Sequence, residues 1–249
     1  MPLLNLEVLS GVTYPGSNAT VLMVMRWIHL LAGITWIGLL YFFNLVNVDF
    51  VKGLDASTRA LVLPRLMRRS MWWFRWSSVV TVLMGIGYWM NIVTADAHNA
   101  QASPGQAMWS FFLIWTAAFA VQNALVMPVK GPLNNGWVLA VLMIIVVGSA
   151  SYLYLRLNDH GWESNRMLSI GIGGGIGWLL MFNVWGIVWR VNKKLILWTE
   201  QNLANGTPIP QKAEKLARQG FLVSRISFWL TFPLLFFMGA ASHYPFLGK

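Results

Sequence analysis

The sequence predicts an all-α fold: a polytopic membrane helix bundle of about six transmembrane helices, with both termini outside, on the periplasmic face. Three observations carry this reading. Hydrophobic residues make up 57% of the 249 and charged residues only 10%, whereas about a quarter of an ordinary soluble domain is charged. Apolar runs recur at the length a bilayer demands, roughly 20 residues at a rise of about 1.5 Å each. Lys and Arg are divided unevenly between alternate connections, and that division sets orientation.

Taken in order, the opening MPLLNLEVLSGVTYPGSNAT lacks the basic n-region and short apolar h-region of a signal peptide. It reads as a short tail outside the membrane. Spans are then expected at about 21–46, 72–95, 107–127, 136–155, 166–190 and 220–242, separated by segments carrying Pro, Gly, Asn and charge. Together they make residues 1–249 a single transmembrane helical domain. The fifth span opens SIGIGGGIGW, in which Gly171 and Gly175, and Gly173 and Gly177, stand four apart. No phosphate-loop spacing is present. The pattern instead predicts close backbone packing against a neighbouring helix or a flat cofactor face. Between the last two spans, NKKLILWTEQNLANGTPIPQKAEKLARQG predicts two short amphipathic segments on the inner surface, broken at Asn205 to Pro210.

Charge then orients the bundle. Lys52, Arg59, Arg65, Arg68, Arg69 and Arg75 follow the first span, Lys130 the third, and Arg190, Lys193, Lys194, Lys212, Lys215, Arg218 and Arg225 the fifth. Fourteen of the 18 basic residues thus share one side, leaving Arg26, Arg156, Arg166 and Lys249 for the other. The basic side is cytoplasmic by the positive-inside rule. With the acids divided the same way, Glu7 among those outside, the inner face carries the whole net charge of +10. That excess suits insertion and anionic lipid, and the reading includes no nucleic-acid partner.

Several chemistries are excluded within this chain. It has no cysteine, which rules out disulfides, thiolate metal sites, iron–sulfur clusters and covalent attachment of a c-type haem. No Asp or Glu lies in the interior of an expected span, so a carboxylate-coupled transporter has little to work with. Histidine remains, at four positions. His98 and His160 fall in connections and read as solvated loop residues. His29 and His243 are embedded in apolar sequence at similar depth near the outer boundary, His29 about 6 Å below it. Two neutral imidazoles at matching depth suit a haem b held between helices, with His29 and His243 as the iron ligands. They equally suit hydrogen bonding across the bundle. Arg26 lies one turn before His29 on the same face, where it either snorkels to the interface or pairs with a haem propionate or an anionic substrate. Gly33, Trp36, Leu40 and Asn44 continue that face, and Gly33 would leave room for a planar ring.

Four stretches carry a resemblance: WIHLLAGITWIGLLYFFN (27–44), MWWFRWSSVVTVLMGIGY (71–88), GWLLMFNVWGIVWRVNKKL (177–195) and SRISFWLTFPLLFFMGAASHYP (224–245). Together they resemble the membrane domain of bacterial membrane-bound urate hydroxylases, the urate oxidase N-terminal domain family. The resemblance implies a bacterial inner membrane location and electron delivery to a c-type haem on the outer side, because the family's membrane domain is commonly followed by a cytochrome c domain. Here the sequence ends at Lys249 without a CxxCH motif, so the expected acceptor is a separate cytochrome c.

Two functions are therefore expected. One is a membrane oxidoreductase, urate hydroxylase-like, that oxidises a small urate-like substrate and passes electrons through haem. The other is a non-catalytic subunit, haem-carrying or purely structural, of a larger respiratory or monooxygenase complex. Either places the chain in the lipid bilayer with other membrane subunits, as part of an oligomer or complex.

Overall fold

In the computed structural model, which describes residues 16–247, every regular element is helical among the described residues. The N-terminal tail to residue 15, with Glu7, and Lys249 lie outside the described residues. Six helical rods are long and apolar enough to cross a membrane, and the chain is a multi-pass membrane protein. The first rod runs from Ser17 to Lys52 and comprises α1 (Ser17–Tyr41), a π-helical turn (Phe42–Val46) and α2 (Asn47–Lys52). The others are α3 (Ala56–Asn99), α4 (Gly105–Val126), α5 (Gly136–Leu157), the rod of α6 (Asn165–Phe182) and α7 (Trp189–Asn205) joined by a second π-helical turn (Asn183–Val188), and α8 (Lys212–Ala240).

Helix ends follow local chemistry. Asp55 caps α3, accepting from the backbone N–H of Ser57 at 2.9 Å and of Thr58 at 3.0 Å. Ser164 caps α6 through the N–H of Met167, and Asn135 caps α5 through that of Trp137. Each satisfies one of the orphan donors of a first turn. Gly206, at φ 67°, ends α7 in the left-handed conformation that glycine adopts without steric cost.

Two connections differ from the sequence reading. The basic stretch before residue 72 is not a loop, because α3 starts at Ala56 and runs 44 residues through Pro64. Its Ala, Leu, Met and Arg content favours helix. The stretch after residue 190 is likewise continuous with its neighbours: α7 prolongs the fifth span and Lys212 begins α8. Only the break between Asn205 and Pro210 falls where expected.

The connections sort into two ends as the charge count requires. At the basic end, Arg68 pairs with Glu200 at 2.6 Å, Arg218 donates to the Asn134 carbonyl at 2.7 Å, and the Arg75 guanidinium lies 4.1 Å from the ring centre of Trp189. At the other end Ser164 bonds Asp96 at 2.5 Å, Gln106 donates to the Leu157 carbonyl, and Asn165 donates to that of Ala241.

The rod containing α6 is the most buried of the six, and its glycines explain how. A Cβ at Gly171 would strike the Tyr154 ring, and one at Gly175 the Trp115 indole. Aromatic side chains from α5 and α4 therefore fill the space that those glycines leave. Towards the basic end, the two π-helical turns carry buried Asn44 and Asn183. Asn44 donates to the Leu40 carbonyl and to Ser224 Oγ. Asn183 donates to Ser227 Oγ at 3.0 Å and exchanges hydrogen bonds with Gln122.

Candidate functional site

Along α1, Arg26, His29, Gly33, Trp36 and Tyr41 line one wall of a cavity of about 460 Å³. That volume lies within the roughly 300–1,000 Å³ of small-molecule and cofactor sites. α3 supplies Thr81, Gly85, Tyr88 and Trp89; α6 supplies Gly173, Gly174 and Gly177; α8 and its following turn supply Leu234, Met238, Ala241 and Ser242.

His29 is fixed in this wall by α3. Its Nδ1 lies 2.7 Å from the Thr81 carbonyl oxygen. A carbonyl only accepts, so the bond requires the proton on Nδ1, which leaves Nε2 with its lone pair. A histidine that ligates a metal is commonly held in this way, by a carbonyl on its other nitrogen. One turn beyond Thr81, Gly85 makes the fit possible: a Cβ there would stand 2.8 Å from His29 Cε1 and 2.9 Å from Nδ1. Real Cβ atoms do not stand that close to a ring held at Nδ1, so an alanine would dislodge the imidazole.

The remaining polar groups are sparse. Arg26 is exposed and lies 5.5 Å from the ring centre of Tyr88. Trp36 is 2% exposed, and among the described residues its indole N–H has no hydrogen-bond partner. Buried donors are nearly always satisfied; this one belongs to a residue of the cavity wall. Tyr41 is already engaged with Thr231 at 3.0 Å. The glycines of α6 also line the cavity, and they let α8 pack closely on α6. At Gly173 a Cβ would come within 3.1 Å of Phe237 Cβ and 3.2 Å of the Leu234 carbonyl.

The structure thus brings together Arg26, His29 and Gly33, three of the four residues singled out in the sequence. His243 lies apart from them: it is exposed, on the turn after α8, and its neighbours Ala241 and Ser242 line the cavity while it does not. Leu40 and Asn44 are buried deeper in the packing. His98 is exposed, but His160 is more than a solvated loop residue. Its Nδ1 lies 2.6 Å from the buried carboxylate of Glu163, which also accepts from the backbone N–H of His160 and Trp162.

The sequence reading missed Thr81, Gly85 and the unpaired Trp36 N–H. The Thr81 contact is through a backbone carbonyl, for which no residue type gives a signal. Gly85 stands in the plain view of MGIGY, and glycine inside an apolar helix is the cue that could have found it.

A family model described as Urate oxidase N-terminal matches residues 51–249. The matched residues include Thr81, Gly85, the glycine run of α6 and His243; Arg26, His29, Gly33 and Trp36 precede them. No curated protein and no solved structure matches the chain.

Proposed function

The chain belongs to the urate oxidase N-terminal family, and from that premise we propose that it is a membrane redox protein holding haem b in the cavity beside His29. In this reading it oxidises a small urate-like substrate and passes electrons to a separate cytochrome c on the outer side. The observation that supports it best is His29 itself: Nδ1 committed to the Thr81 carbonyl, Nε2 left with its lone pair, and the glycines of α6 lining the same cavity. Haem bound there would supply a one-electron carrier.

The chain's own residues do the rest. Thr81 orients the imidazole, and Gly85 leaves the room it occupies. Arg26, at the outer end of the wall, would pair with a propionate or with an anionic substrate. His243 is the second ligand in this reading. Since Ala241 and Ser242 already lie in the wall, the turn has to rotate on binding to bring its ring in. The exposure of His243 favours a second reading, in which the chain is a non-catalytic subunit and the cavity takes a flat anionic molecule without iron.

A reduced-minus-oxidised absorbance spectrum of the purified protein separates them. A b-type band is expected, lost in His29→Ala and lost or shifted in His243→Ala; no band in the wild type removes the haem, and a variant with the wild-type spectrum clears its residue. Urate-dependent reduction of added cytochrome c then tests the enzyme, and a rate no higher than that of haem-free protein leaves the subunit.

A further inference from the structure

At the opposite, basic end of the bundle a second recess of about 470 Å³ opens between α4, the α6–α7 rod and α8. We propose that it is a binding site for the headgroup of an anionic phospholipid. Two cations stand at it, Arg190 and Lys194, one turn apart on α7 and both exposed. Among the described residues neither has an ion-pair, hydrogen-bond or aromatic partner. No Asp or Glu lines the recess. A pair of unpaired cations one helical turn apart presents a focused positive field with no carboxylate lining the recess to neutralise it.

Inside the recess are two carboxamides, Gln219 from α8 and Asn123 from α4. Gln219 is only 8% exposed, yet among the described residues its amide has no hydrogen-bond partner. That amide is left with donors to give, and a phosphate oxygen would accept from it. The contrast with Arg218 is instructive: that cation, just before Gln219, is used up on Asn134. Below the polar rim the walls are apolar. Phe119 and Phe182 stack with centroids 5.1 Å apart, and a Cβ at Gly186 would come within 3.3 Å of the Phe119 ring. Two cations and two amides over an aromatic floor match a phosphate joined to acyl chains. Their place at the end that holds most of the basic residues is where anionic lipid gathers in a bacterial or cytoplasmic leaflet.

The test uses the full-length protein in uncharged detergent, titrated with short-chain phosphatidylserine, short-chain phosphatidylcholine and inorganic phosphate, with bound ligand read by native mass spectrometry. Phosphatidylserine is expected to bind at one copy per chain. The Arg190→Gln/Lys194→Gln variant should bind it about 30-fold more weakly, from about 1 kcal/mol for each basic residue near anionic lipid. Both side chains are exposed, so the variant is expected to fold. Gln219→Leu, which keeps the bulk and removes the amide, should also weaken binding. Equal binding of phosphatidylcholine, or an equal loss in the charge-matched control Arg65→Gln/Lys193→Gln, overturns the site. Inorganic phosphate binding as tightly as the lipid overturns the lipid assignment.

Discussion

Asn183, within the fifth span, and His29, in the N-terminal half of the first, both place a polar side chain where hydrophobic packing dominates. Asn183 is fully buried and its amide is spent: Gln122 and Ser227 take up both ends, and nearby Asn44 is likewise engaged by Leu40 and Ser224. His29 is half-buried beside open volume, with one nitrogen bonded and the other not, and the indole N–H of Trp36 in the same wall is unpaired. The two regions have similar polar content. They differ in whether hydrogen-bonding capacity is left over and whether there is space to use it. A saturated network holds helices in register. An unsaturated one beside a cavity has capacity that a ligand can take up.

Substitutions should separate the two regions. The largest loss of stability is expected from Asn183→Leu, which orphans Gln122 and Ser227 in a closed core. A cost of about 1–3 kcal/mol should appear as earlier thermal unfolding in detergent, with ligand binding in the cavity beside His29 unchanged at temperatures where the variant is folded. Unchanged unfolding would show that the seam is not what holds these helices. Ser224→Ala should cost less, about 0.6 kcal/mol, because Asn44 keeps its bond to the Leu40 carbonyl. Gly85→Ala reverses the pattern. Its Cβ displaces His29, so the b-type band or any ligand of the cavity should be lost, while the gain in helix propensity of up to about 1 kcal/mol offsets part of the strain. A wild-type spectrum in that variant would mean that the imidazole position does not matter.

The smallest effect belongs to Asp55, which lies in neither region. Hydrogen bonds from Ser57 and Thr58 hold its carboxyl well below the usual carboxylate range. The folded-state pKa is thus below the unfolded one, so the stabilisation is present in full above about pH 4 and fades as pH falls through the folded value. Asp55→Ala should lower the unfolding temperature slightly at pH 7, and the gap from wild type should close as the solution is acidified.

Much of this was legible in the sequence, and the residues show why. The six spans follow from apolar length, and the grouping of Arg68 with Glu200 at one end, or Asp96 with Ser164 at the other, follows from the division of charge. The start of α3 and the continuity of α7 and α8 with the last two spans were not legible, because polar helical residues carry no hydropathy signal; the break between α7 and α8 was, from its Asn, Gly and Pro. Arg26, His29 and Gly33 could be placed on one face because helical spacing alone sets that relation.

What the sequence determined by itself was therefore one-dimensional: which segments cross the bilayer, which ends share a side, and which residues of one helix share a face. Hydrophobicity, charge and the helical repeat are all local properties, and a chain carries them without reference to its neighbours. Only the tertiary structure decided what each face meets. Helix rotation and close approach set His29 against the Thr81 carbonyl over Gly85, left Trp36 unpaired, and put Ser242 in the cavity wall with His243 outside it. Those outcomes depend on packing between helices distant in sequence, where matching depth fixes no rotation.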